Sequence, residues 1–181
     1  MLAYKGFRKG LICRGYQFKP GINYTDEANC VKNGFHCAAN PIDCLSYYPD
    51  IHSSEYWIVD ARGDIDEDAC DSKISCTELH ILKKLTTEEF FFHCLVWLSR
   101  NSDARVLGRG FARDHSEAFQ GYAIVMGKSP VAMGKKEGDI LALLQIDIRG
   151  KPIATNILKV GFNAIEPGEY YDIHGKEYQY V

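Results

Sequence analysis

Gly34–Pro49 reads GFHCAANPIDCLSYYP, a strand end, a turn and a short capped helix in one stretch. Asparagine directly ahead of proline predicts an N-cap at Asn40 with Pro41 at the first helical position, where the missing N–H would have had no partner in any case. Pro49 disfavours a helical residue at Tyr48, so the helix is limited to about two turns. Ile42, Leu45 and Tyr48 then fall on one face. The same stretch holds the chain's densest set of polar and reactive groups: His36, Cys37, Asn40, Asp43, Cys44, Tyr47 and Tyr48.

Upstream, Leu2 to Phe7 and Leu11 to Phe18 alternate loosely between apolar and polar residues across Lys9-Gly10, the pattern of a hairpin or of a strand with a tight turn. Arg14 followed by Gly15 leaves the backbone open beside a cation, a candidate hold for an anionic ligand. Downstream, Glu55 to Ala61 (EYWIVDA) predicts a buried strand. Asp64, Asp66, Glu67, Asp68 and Asp71 then crowd together, but Gly63 precedes the run, which is the wrong order for a calcium loop. The run is expected to be a solvated acidic turn before a strand at Ile74 to Leu82.

Thr86-Thr87-Glu88-Glu89 offers a capping box ahead of FFFHCLVWL and predicts a helix from Thr86 to Arg100. Phe90, Phe91, Cys94, Leu95 and Leu98 form its apolar face, widened by Phe92, Val96 and Trp97, so a long buried helix is expected. From Asn101 to Gly138 the helical period is lost. Ser102, Ser116 and Ser129 recur at intervals of 14 and 13, each followed by a glycine, which fits either degenerate rungs of a β-roll or a glycine-containing loop. Asp139 to Ile148 (DILALLQIDI) reads as a central strand, with Gln145 among apolar neighbours, and the chain closes in further strands.

The fold expected is α+β: a mainly antiparallel sheet with one long buried helix and a short capped helix, plus a small glycine-rich lobe. Residues 1–100 would form the main body, 101–138 the lobe, and 139–181 strands that complete the main sheet. Apolar residues at 46% and charged residues at 25% are those of a globular chain, and the net charge of −3 gives no general attraction to nucleic acid or an anionic membrane. No apolar run approaches the roughly 20 residues that span a bilayer, and no signal sequence stands at Met1. Seven cysteines without a C-x-x-C pair fit reduced thiols in a cytoplasmic protein and match no zinc motif.

AYKGF, CRGYQF, NGFHCAANPIDCLSYY, DSKIS, the Ser/Ala/Gly rungs and the Tyr-rich closing hairpin resemble, in that order, an uncharacterised domain family common in phage and prophage proteins of bacteria. In that family the rung region is typically longer. The resemblance implies a phage-type or mobile-element lineage and carries no activity with it; the absence of a phosphate loop, a zinc signature, a nucleophile elbow and a basic patch leads to the expectation of an interaction module for a host or phage protein, without a cofactor.

The layout is also similar to the ADP-ribosyltransferase superfamily: an early strand with a basic residue, a Gly-Phe/His turn into a short helix ending in tyrosines, and a late strand bearing Glu or Gln. That resemblance implies NAD as ligand. Lys5 or Arg14 would hold the ribose or diphosphate, Tyr47 or Tyr48 would stack on nicotinamide, and Gln145 would orient the ribose. Catalysis would then fall to Gln145 and Tyr47, and ligand binding to Arg14, His36, Asn40 and Tyr48. Lys5 stands where the superfamily has His or Arg, and Gln145 where it has Glu.

Overall fold

The computed structural model describes residues 1–30, 32–67, 72–106 and 108–179. The chain is mostly strand with few helices, and it divides into two compact units, Met1–Phe90 and Phe91–Val181. No helix among the described residues is long and apolar enough to cross a membrane.

The first unit is an antiparallel seven-stranded sheet. Lys9-Gly10 turns β1 (Leu2–Arg8) into β2 (Ile12–Cys13), and Arg14-Gly15 turns β2 into β3 (Tyr16–Gln17). Next come β4 (Gly21–Tyr24), β5 (Phe35–Ala38), β6 (Ser54–Glu67) and β7 (Lys73–Leu85). β1 pairs with β5 and β6, and β7 also pairs with β5 and β6. These four strands therefore close a ring of pairings, a small barrel. Its interior takes alternate residues of each strand, among them Ala3 and Phe7, Phe35 and Cys37, Val59 and Ala61, with Phe18 from the segment after β3.

β6 runs straight through the acidic stretch as far as Glu67, with a break in register between Arg62 and Ile65. Asp64, Asp66 and Glu67 are therefore strand residues and not a turn, because β7 supplies partners to Ile65, Asp66 and Glu67. Asp68 and Asp71 lie outside the described residues.

Asn40 caps as expected: its Oδ1 accepts from Ile42 N at 3.0 Å, and Pro41 opens a 3-10 turn (Pro41–Asp43) that passes into α1 (Cys44–Tyr47). Tyr48 has left the helical region, at φ −132 and ψ 66. The capping box also forms. Thr86 Oγ1 accepts from Glu89 N at 3.1 Å and Glu89 Oε2 accepts from Thr86 N at 2.8 Å, which starts α2 (Thr87–Arg100), a helix of 14 residues. Phe90, Phe91, Cys94, Leu95 and Leu98 are buried, while Phe92 is exposed and Trp97 half-buried, so the apolar face is narrower than the sequence implied. In the first unit Phe90 stacks on Tyr56, centroids 3.9 Å apart.

The second unit holds a separate five-stranded sheet of β8 (Phe111–Glu117), β9 (Tyr122–Met133), β10 (Ile140–Ile146), β11 (Pro152–Lys159) and β12 (Tyr170–Tyr171). The expectation that strands of 139–181 complete the main sheet is overturned: β9 and β11 occupy both edges of β10, so neither edge is left for the first sheet. Residues 101–138 are not a separate lobe either, since they supply β8 and β9 to this sheet. β8, β9 and β10 pair in parallel. Phe111 lies opposite Ile124, and a shift in register then brings Ser116 opposite Ala132. Gly127 sits where β9 passes the Asp114 corner of β8, and a Cβ there would stand 2.3 Å from Asp114 Oδ1.

Candidate functional site

β1 and β5 are in register at one pair only, Tyr4 opposite Ala38. Where they cease to pair, a cleft of about 1100 Å³ opens, walled by both strands, by the Cys13–Tyr16 turn and by α1 with the residues after it. A smaller hollow of about 440 Å³ lies beside Glu55 and the start of α2. Its buried carboxylate is already met, Lys84 Nζ standing 2.6 Å from Glu55 Oε2, so the larger cleft is the candidate.

The cleft is cationic in a chain that is net negative. Lys5, Arg8, Arg14 and Lys73 line it together with His36, against two carboxylates, Asp43 and Asp50. Both carboxylates are engaged locally. Asp43 Oδ2 accepts from Ser72 Oγ at 2.7 Å and its Oδ1 from Asn40 Nδ2 at 3.2 Å, while Asp50 accepts from His52 N at 3.0 Å and from Ser53 Oγ at 2.7 Å. Burial holds the His36 pKa below its ordinary 6.5, and the positive fields of Lys5, Lys73 and Arg14 depress it further.

Arg14 occupies the first central position of a two-residue hairpin turn, at φ 49 with Gly15 at φ 82. That left-handed pair is the turn β-hairpins favour, but asparagine or aspartate is the usual residue there, so an arginine sits at some cost in backbone strain on the cleft rim. Two tyrosines at the end of α1 form the aromatic wall. Tyr47 is about half exposed; its hydroxyl accepts from Lys73 Nζ at 3.1 Å, and the ammonium lies 5.4 Å from the ring centroid. Tyr48 lies against β1 and is fixed by Tyr56, whose hydroxyl donates to Tyr48 O at 2.6 Å. Burial and a hydrogen bond with Cys13 raise the Tyr48 phenol pKa, so it stays protonated.

The two buried thiols in the wall, Cys37 and Cys44, are poor nucleophiles. Cys44 is pushed up to about 12 by burial. Cys37 is raised by its hydrogen bond to Cys76 and by burial, which leaves no role for a thiolate activated by the adjacent His36.

Arg14, His36, Tyr47 and Tyr48 thus come together in one cleft with Lys5. Asn40 and Gln145 are not on its walls. Asn40 is 3% exposed, and its side chain is spent on Ile42 N and Asp43, as a cap. Gln145 belongs to the second unit, where it is half-buried in β10 and its Nε2 donates to Lys128 O at 2.8 Å, so the amide is paired within its own sheet. Arg8 and Lys73 carry no site signal in the sequence, because isolated basic residues in strands look like surface residues. The signal for Lys5 was there in the parity of Ala3, Lys5 and Phe7, which places a lysine on an apolar face.

The site therefore defines a barrel-borne cationic, aromatic-walled cleft. The chain belongs to the family described as a domain of unknown function, DUF7666, whose profile matches residues 1–93 and so takes in every residue of the cleft. No curated protein and no solved structure matches the chain significantly.

Proposed function

We propose that the first unit is a binding module for a small anionic aromatic ligand of nucleotide type, the class to which NAD belongs. The observation that carries this reading is the convergence of Arg14, His36, Tyr47 and Tyr48 with Lys5 and Lys73 around one cleft of about 1100 Å³. Cations in a concave site concentrate anions, and tyrosine rings supply stacking area at low conformational cost. The transferase form of this reading needs a carboxylate or amide at the reacting ribose. The cleft's carboxylates are engaged with Ser72, Asn40, His52 and Ser53, and Gln145 is engaged with Lys128, so the reading stops at binding.

The test is the thermal midpoint of the purified protein with millimolar NAD and, separately, AMP, beside an Arg14→Ala variant. A nucleotide at a hundred times its dissociation constant should add about 2.7 kcal/mol to the folded state and raise the midpoint by several degrees. The variant should lose most of that. No shift with either nucleotide contradicts the reading.

A protein-interaction module encoded by a phage or mobile element and acting in the cytoplasm is the second reading. It is favoured by Ile22, Tyr24 and Leu82, exposed apolar residues on the edge strand β4 and its partner β7. Capture of a host or phage protein that is lost in an Ile22→Lys/Tyr24→Lys variant would support it, and unchanged capture would sink it.

A further inference from the structure

Among the described residues of the first unit, Lys5 is the one buried charge that has no counter-charge. It lies between Ala3 and Phe7 on the inward row of β1 and is only 4% exposed. Its ammonium has three protons to place. It donates to the carbonyl of His36 and, at 3.8 Å, to Cys13 Sγ, a weak acceptor. The rings of Phe7 and Phe18 lie 5.2 and 5.1 Å away, and no carboxylate among the described residues pairs with it.

Glu55 shows the contrast. Buried to 7% exposure, it accepts from Lys84 at 2.6 Å and from Leu11 N at 2.7 Å. Directly across β6 from Lys5 stands Trp57, on the same side of the sheet, and its buried indole N–H has no acceptor. Two donors, Lys5 and Trp57, thus stand side by side without a full set of acceptors, and Lys5 lines the cleft that has Arg14 and Lys73 on its walls. An unmatched buried cation is costly, so its retention at that place points to an anion that comes and goes.

We propose that Lys5 is the seat of a terminal phosphate group, and that the ligand is therefore a mononucleotide. This rests on the nucleotide reading above. A cation 4% exposed can be reached only by the end of a ligand. The diphosphate of a dinucleotide carries a sugar on either side and cannot bring its oxygens to Lys5, whereas a phosphomonoester can. Tyr47 and Tyr48 then flank the base, and Arg14 and Lys73 answer the second negative charge.

The experiment is calorimetric titration of the full chain with AMP, adenosine, ribose 5-phosphate and NAD, for the wild type and Lys5→Met. The proposal expects AMP to bind at least tenfold tighter than adenosine, ribose 5-phosphate or NAD. Lys5→Met should erase the advantage of AMP over adenosine. It should also leave the ligand-free protein no less stable than the wild type, since it removes an unmatched buried charge. Should that variant fail to fold, lysine-selective NMR of the wild type gives the same decision, because AMP should move the Lys5 signal and adenosine should not. Equal affinity for AMP and adenosine, or NAD binding tighter than AMP with Lys5→Met unaffected, overturns the phosphate seat and leaves the nucleotide reading standing. Binding of none of the four overturns both.

Discussion

The Tyr48 side chain lies against the backbone of Gly6: a Cβ built on Gly6 would stand 2.7 Å from Tyr48 Cδ2 and 3.0 Å from Cγ. The glycine is required here by space, since its φ is ordinary for any residue. Gly6→Ala must push the ring off β1 and into the cleft. The expected result is a loss of roughly 1 to 3 kcal/mol from overpacking, together with a fall in nucleotide affinity. Urea denaturation and calorimetry measure the two parts.

His36 gives the cleft a pH signature. Its folded pKa is depressed below 6.5, first by burial and then by Lys5, Lys73 and Arg14. Between 6.5 and the lower folded value the unfolded chain binds more protons, so stability rises with pH across that window and is lost as pH falls through it. A bound anion opposes the three cations and raises the His36 pKa, so nucleotide binding should tighten as pH falls through the same window. Denaturation and titration at a series of pH values, with His36→Gln as the flat reference, check both slopes.

Asn40 separates a structural role from a binding one. Asn40→Ala should cost about 1 to 2 kcal/mol, through loss of the cap on Ile42 N and of the contact with Asp43. Nucleotide affinity should stay within a factor of two. A tenfold loss of affinity without loss of stability would return Asn40 to the ligand.

Gln145→Ala should leave nucleotide binding unchanged and cost roughly 1 kcal/mol, the net worth of its bond to Lys128 O. Loss of binding in this variant would revive the transferase arrangement.

Local chemistry was legible in the sequence wherever it was self-contained. Asn40-Pro41, the Thr86/Glu89 box and Lys9-Gly10 each act within a few residues, and each does in the structure what its chemistry predicts. The closure of the barrel was not legible, because β5 must pair with β1 on one side and β7 on the other, and no local pattern encodes two distant partners. For the same reason the apolar strand at Ile140–Ile146 gave no sign of which sheet it joins. Much of the cleft was legible, since Arg14, His36, Tyr47 and Tyr48 were named before they met. Gln145 is ambiguous in the sequence because a glutamine among apolar residues looks the same whether it pairs in the sheet or faces a cavity. The burial of Lys5 went unread because lysine on an apolar parity is usually taken as an irregularity in the strand.

The most direct test of the cleft as a nucleotide site is chemical-shift mapping of the ¹⁵N-labelled protein during titration with AMP. The account predicts saturable shifts concentrated at Lys5, Arg14, His36, Tyr47 and Tyr48. Shifts that fall elsewhere, or a spectrum that AMP leaves unchanged at millimolar concentration, would contradict it.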